Sequence, residues 1–132
     1  MQAALIVISL LAAEPGEVWP SFRGTGDSRT EAKNLPLRWS DENNIAWRTD
    51  LPGYGQSSPV AWKNSAFVTA VQGEFKERLL VLAVNISDGK IAWRKEFAAS
   101  ERIKDSNYVG KAAPTPVVDS ERLFVFYESG DL

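Results

Sequence analysis

Apolar runs separated by polar turns make up most of the chain beyond residue 44. Residues 66–71, 79–84 and 123–127 are rich in β-branched and aromatic side chains, which favour β-strands. A strand with one face in water alternates apolar and polar side chains, whereas residues 79–84 are apolar throughout. Residues 123–127 are apolar throughout as well, so we expect protein to cover both faces of the strands at residues 79–84 and 123–127.

A short motif repeats along the chain. The tetrapeptide Ile-Ala-Trp-Arg occurs at residues 45–48 and again at 91–94, a spacing of 46 residues. A Ser-Pro-Val and a Thr-Pro-Val follow the two copies, at 58–60 and 115–117. One unit is predicted to hold four short strands, at residues 59–62, 66–71, 79–84 and 90–97. A period of about 45 residues with four strands per unit is typical of a β-propeller blade.

Three polar segments are predicted to connect these strands. Lys63-Asn64 indicates a tight turn, residues 72–77 indicate a loop, and Asp88-Gly89 is a strong hairpin signal because the turn needs positive φ. Gly53-Tyr54-Gly55 follows a proline and opens no helix. It therefore predicts a backbone bend rather than a phosphate-binding loop.

The predicted fold is all-β, a partial β-propeller with about one and a half to two four-stranded antiparallel blades of a larger ring. Residues 14–44 are expected to form a mostly irregular lead-in, with a short strand near residues 19–23. Residues 45–132 are expected to hold the blades, and the first Ile-Ala-Trp-Arg is itself predicted to be a strand. A closed ring needs about four to eight blades, so the blade region is expected to be truncated at its C-terminal end. Whether 132 residues are a natural product or a truncated one stays open.

The N-terminus carries an apolar run at residues 3–13 that ends at Glu14-Pro15-Gly16. Its length suits the apolar region of a signal peptide and is too short to span a bilayer. Residues 1–13 therefore predict export to the periplasm or the exterior, although neither Lys nor Arg precedes the run. A misassigned start or an N-terminal strand is the alternative. No membrane span is predicted elsewhere.

Composition excludes several classes of function. The net charge of −2 gives no basic surface for nucleic acid, and the absence of Cys and His removes disulfides, thiolate zinc sites and Ser-His-Asp catalysis. The basic clusters Lys76/Arg78 and Arg102/Lys104 alternate with acidic residues, which predicts solvated surface. The sequence assigns no catalytic and no metal-binding residue, and it leaves cofactor-binding residues unassigned.

The repeat unit resembles that of the pyrroloquinoline-quinone (PQQ)-type propellers, the quinoprotein-alcohol-dehydrogenase-like family, within the broader WD40/YVTN-like class. Four features carry the resemblance: Ser58-Pro59-Val60, residues 80–84, Ser87-Asp88-Gly89-Lys90 and Trp93. The opening Trp19-Pro20-x-Phe22-Arg23-Gly24 looks like the start of a secreted bacterial branch, so the likeness covers residues 19–132. In that family the Trp near the end of a blade packs into the neighbouring blade. The resemblance implies this role for Trp47 and Trp93.

Two functions follow from the resemblance. The first is a non-catalytic protein-binding scaffold without a cofactor, with an unidentified protein partner and with self-association of the fragment. The alternative is a fragment of a dehydrogenase that depends on PQQ and Ca2+. Under that alternative the oxygen atoms of residues 41–44, Asp-Glu-Asn-Asn, are candidate ligands, but a polar turn before the first strand is the favoured interpretation. Tyr54 and Tyr108 lie in predicted loops, where propellers often bind partners.

Overall fold

A computed structural model describes residues 4–5, 18–30, 32–104, 110 and 112–132. Within these residues the protein is all-β, with eight strands and no helix. The part of the chain described thus contains no helix able to cross a membrane. The strands are β1 (Ala4–Leu5), β2 (Thr49–Asp50), β3 (Val60–Trp62), β4 (Ser65–Gln72), β5 (Arg78–Asn85), β6 (Ile91–Ala98), β7 (Val117–Val118) and β8 (Leu123–Phe124).

The four strands β3 to β6 form one antiparallel sheet in sequence order. This confirms the predicted four-stranded unit and its connections. Lys63 and Asn64 make the β3–β4 turn, residues 73–77 make a loop between β4 and β5, and residues 86–89 turn β5 into β6. Gly89 has a φ of 71°, as a hairpin turn at this Asp-Gly pair requires.

The strand β5 is buried on both faces, as its unbroken apolar pattern predicted. Leu80 and Leu82 pack with Val68 and Ala70 of β4, and Leu51 of the preceding segment lies against them. The opposite face holds a second cluster that includes parts of the following segment, with members Val71, Leu79, Val81, Ala112 and Tyr127. The central sheet is therefore sandwiched between the chain that comes before it and the chain that comes after it.

The outermost strand differs sharply from its neighbour. Every residue of β6 is exposed, although β6 pairs with β5 along its whole length. The pairing register shifts between Ala83 and Val84, which marks a bulge near the start of β6. Trp93 and Phe97 lie on the same face as Leu79 and Val81, but they are exposed whereas the two β5 residues are buried.

The lead-in is mostly irregular, as predicted, but two predicted strands are wrong. Residues 19–23 form no strand; Trp19 alone pairs with Ala61, through two backbone hydrogen bonds of 2.9 Å, and a turn follows. Residues 45–48 are also not a strand, and pairing begins only at β2. The physical reason is the lack of a partner, because the described residues of the polar stretch before residue 45 provide no strand alongside the first Ile-Ala-Trp-Arg.

The two chain ends each contribute a two-stranded sheet. Backbone pairing joins β1 to β2, whereas the other residues of the predicted signal peptide lie outside the described residues, so export stays a prediction. At the other end β7 pairs with β8. The strand predicted over residues 123–127 stops after its first two residues, and residues 125–127 alternate between the core and the surface. The expected cover on both faces is therefore wrong here, because Phe124 and Phe126 face outward and are about half exposed.

The double burial of β5 makes its leucines the most sensitive core positions. We expect Leu80→Ala, at a fully buried side chain, to lower the free energy of unfolding by about 2–5 kcal/mol, because it removes methyl groups and leaves a cavity. Leu37→Ala is the matched control, since Leu37 is 94% exposed and should change stability by less than about 0.5 kcal/mol. Urea unfolding followed by circular dichroism measures both. Equal costs for the two variants would contradict the double burial.

Candidate functional site

The indole of Trp47 packs on the turn between β5 and β6. Its Nε1 donates a hydrogen bond of 2.5 Å to the carbonyl oxygen of Ile86, 39 residues further along the chain. Two residues later, the Thr49 hydroxyl donates to the carbonyl oxygen of Gly89. The end of the first repeat copy is thus attached to the turn of the next unit by one aromatic ring and two hydrogen bonds.

Only glycine fits the position beneath the Trp47 ring. A Cβ added to Gly89 would lie 2.6 Å from Trp47 Cδ2, much closer than carbon atoms approach one another. Gly89 also has positive φ and is buried. Gly89 therefore has two roles. Its positive φ closes the hairpin, and its lack of a side chain leaves space for the Trp47 ring.

The side chain of Asp88 holds this turn in shape. Its Oδ1 accepts a hydrogen bond of 3.0 Å from the backbone N–H of Lys90. That bond lowers the pKa of Asp88, with a smaller contribution from the Lys90 side chain. The carboxylate form is therefore the one that stabilises the turn. Because Asp88 is exposed, solvent screens its effect.

Among the described residues, the second tryptophan of the repeat packs on no such turn. Trp93 is 38% exposed; its ring lies 5.9 Å from that of Phe67, and Lys95 Nζ is 5.8 Å from its centroid. Phe97 is 51% exposed on the same strand. Three residues that face outward around β7 and β8 are also about half exposed, namely Val117, Phe124 and Phe126. Exposed apolar side chains such as these favour contact with a further protein element.

At the end of the sheet opposite to the Trp47 turn, the β4–β5 loop meets the connection between β6 and β7. The β4–β5 loop (residues 73–77) receives hydrogen bonds from the segment after β6: Ala99 N–H donates to Glu77 O and Ile103 N–H to Phe75 O, both at 3.0 Å. The guanidinium of Arg102 lies 5.2 Å from the Phe75 ring centroid. We call this surface, made of residues 73–77, 99–104, 110 and 112–113, the loop platform.

A buried lysine joins the loops of this platform. Lys76 is 3% exposed; its ammonium donates to the carbonyl oxygen of Gly110 and lies 3.4 Å from Glu128 Oε1. The same carboxylate oxygen accepts a hydrogen bond of 2.8 Å from Ala112 N–H. The prediction that Lys76 lies on solvated surface is therefore wrong, while Arg78 and the pair Arg102/Lys104 are exposed as predicted. Nothing in a Phe-Lys-Glu-Arg sequence distinguishes this lysine from a surface one.

Neighbouring groups fix the platform further. Tyr127, next to Glu128, donates from its hydroxyl to Leu80 O at 2.7 Å, and burial raises the pKa of that phenol. Hydrogen bonds from the backbone N–H groups of Glu77 and Phe75 lower the pKa of the Glu77 carboxyl. At its outer rim, Asp131 accepts a bond from Ser100 N–H at 3.1 Å. These contacts hold the loops in one arrangement.

The residues considered from the sequence have mixed outcomes. Residues 41–44 form the favoured polar turn: Arg48 pairs with Asp41, and Asn44 donates to Arg38 O at 2.8 Å. In the described part of the chain, no group of three or more acidic, Cys or His residues could hold a metal. The predicted bend at residues 53–55 is confirmed, and Tyr54 there is half buried, with its hydroxyl on Gly73 O at 2.8 Å. Tyr108 lies outside the described residues.

Comparison of the chain with protein-family models, with curated proteins and with solved structures finds no match. The site must therefore be interpreted from its own geometry. That geometry consists of Trp47 packed on the Gly89 turn, Trp93 exposed on β6, and a loop platform held by a buried ion pair.

The two tryptophans of the repeat should differ in their effect on stability. We expect Trp47→Ala to lower the free energy of unfolding by about 3 kcal/mol, because it removes a packed ring and leaves the Ile86 carbonyl without its donor. Trp93→Ala should cost about 1 kcal/mol or less, because its ring is exposed. Urea unfolding of both variants provides the comparison. A larger loss for Trp93→Ala would contradict the docked role of Trp47.

The Lys76–Glu128 pair should respond unequally to the loss of either member. Glu128→Ala leaves a deeply buried ammonium without a counter-charge, so we expect a loss of about 2–3 kcal/mol, somewhat below that of a fully buried pair. Lys76→Met replaces the charge by an apolar chain of similar length and leaves Glu128 partly solvated, so about 1 kcal/mol or less is expected. Thermal unfolding measures the difference, with Glu74→Ala in the same loop as the control. Equal losses would show that the burial of Lys76 is energetically unimportant.

Proposed function

We propose that this chain is the N-terminal part of an exported PQQ-repeat-like β-propeller that acts as a non-catalytic protein-binding scaffold. The main support for the proposal is the packing of Trp47 on the Gly89 turn. A tryptophan at the end of one repeat copy, packed on the turn of the next four-stranded unit, is the contact expected between neighbouring blades.

The arrangement around the central sheet supports the same proposal. Consecutive segments cover its two faces, with Leu51 on one side and Tyr127 on the other. Blades that stack face to face around a ring require such double coverage. In the proposed ring, Trp93 lies on the turn of a following unit just as Trp47 lies on Gly89, and that unit also covers Phe97.

The loop platform is the surface that we assign to the protein partner. Binding residues are concentrated on loops that a rigid scaffold positions, and here the Lys76 ion pair and the bonds from Ala99 and Ile103 supply the rigidity. The platform also presents exposed charges of both signs, including Glu74, Glu101 and Arg102. Such a surface suits a polar protein partner rather than a small apolar ligand.

Site-specific photocrosslinking in cells of the source species tests this assignment. A photoreactive phenylalanine at Glu74 places the probe on the platform, and the same probe at Lys63 places it on the exposed turn at the opposite end of the sheet. We expect one discrete crosslinked protein from position 74 and none from position 63, because only the platform binds the partner. The same band from both positions, or no band from position 74, would contradict the platform as the binding surface.

The dehydrogenase alternative has its own measurement. Purified protein is incubated with PQQ and Ca2+, and the absorption spectrum and dye-linked alcohol oxidation are recorded. The scaffold proposal expects neither bound quinone after gel filtration nor alcohol-dependent reduction of the dye. Retained quinone together with alcohol-dependent dye reduction would contradict the scaffold proposal and support the dehydrogenase.

A further inference from the structure

The outer strand β6 presents a long free edge. It is the last strand of the four-stranded sheet, and among the described residues it pairs with β5 alone. All eight of its residues are exposed. An exposed strand of this length offers unpaired N–H and C=O groups to another strand, whereas proteins usually shorten or cover such an edge.

The hydrogen-bond pattern shows which residues direct their backbone groups outward. Ala99 N–H donates to Glu77 O, so these two residues form a hydrogen-bonded pair. Every second pair along the β5–β6 ladder is of the same kind, namely Leu79 with Phe97 and Val81 with Lys95. In an antiparallel ladder, hydrogen-bonded pairs alternate with non-bonded ones. Odd-numbered residues from 93 to 97 therefore bond to β5, and Arg94 and Glu96 between them direct their N–H and C=O groups away from the sheet.

This pattern restricts how a second copy of β6 can pair antiparallel with the first. The outward residues must oppose outward residues, so Arg94 can face Arg94, Glu96 or Ala98 of the partner subunit, but never the partner's Lys95. Three registers keep most of the strand paired. One sets Arg94 against itself and another sets Glu96 against itself, and like charges directly opposite are destabilising.

We propose that β6 pairs with β6 of a second copy in the remaining register, which sets Arg94 opposite Glu96 of the partner subunit. Twofold symmetry forms this ion pair twice. On the other face of the sheet, the same register places Trp93 opposite the partner's Phe97. Twofold symmetry forms this pair twice as well, and aromatic cross-strand pairs are favourable. The two aromatic residues thereby lie side by side across the edge, and the face of the sheet stays free for a further element.

The charges already present on the strand agree with this register. Arg94 and Glu96 bond to each other within one chain, and Arg78 lies 3.8 Å from Glu96, so the pairing joins existing ion pairs into one network. Lys95 opposes its own copy at the twofold axis, but its ammonium is drawn aside over the Trp93 ring at 5.8 Å from the centroid. Like charges directly opposite each other disfavour the other two registers, whereas the two Arg94–Glu96 pairs favour this one.

Sedimentation velocity of the 132-residue chain over a concentration series tests the proposal. We expect a dimer whose dissociation constant rises on the order of tenfold in Glu96→Arg and in Arg94→Glu, because each change turns two attractive pairs into two repulsive ones. The double variant R94E/E96R exchanges the charges and should restore the dimer. Glu74→Arg carries the same charge change as Glu96→Arg at an exposed loop residue and should dimerise as the original chain does.

Three outcomes would overturn the proposal. The first is that the chain remains monomeric at protein concentrations up to about 0.5 mM, since the affinity would then be too weak for a specific dimer. The second is single variants that dimerise as tightly as the original chain. The third is a double variant that stays monomeric while its circular dichroism spectrum matches that of the original chain. The pairing does not depend on the scaffold function, so its failure leaves that proposal untouched.

Discussion

Six consecutive residues of β5, from Leu79 to Val84, are buried, so apolar side chains must cover the central sheet on both sides. A sheet of four short strands cannot supply this cover by itself. The chain before β3 supplies Leu51 and the chain after β6 supplies Tyr127. The neighbouring segments are therefore parts of the same core, and the sheet depends on both of them.

The same constraint explains why the two copies of Ile-Ala-Trp-Arg differ. The first copy precedes the sheet and is not a strand, yet its Trp47 is seated on the Gly89 turn. The second copy belongs to β6, where it is paired along the backbone but exposed in its side chains. The first tryptophan is thus packed on a glycine turn, whereas the second has no such turn against it among the described residues.

Polar contacts set the ends and the edge of this sheet. At one end, the ammonium of Lys76 connects the β4–β5 loop with Gly110 and Glu128, and the loops that meet there form a fixed platform. At the outer edge, Arg94 and Glu96 direct their backbone groups away from β5. Lys76 is buried because neighbouring loops close around it. Arg94 and Glu96 are exposed because no further strand of the described chain lies beside them.

The sequence by itself determined the four-stranded unit, its turns and the double burial of β5, because apolar periodicity, an Asp-Gly pair and β-branched runs are local signals. Strands at residues 19–23 and 45–48 were predicted wrongly, since a strand exists only where a partner strand lies beside it. The burial of Lys76 and the seat of Trp47 are likewise invisible in the sequence. Tertiary structure alone decided them, because both depend on residues that lie between 34 and 52 positions away and meet only in the folded chain.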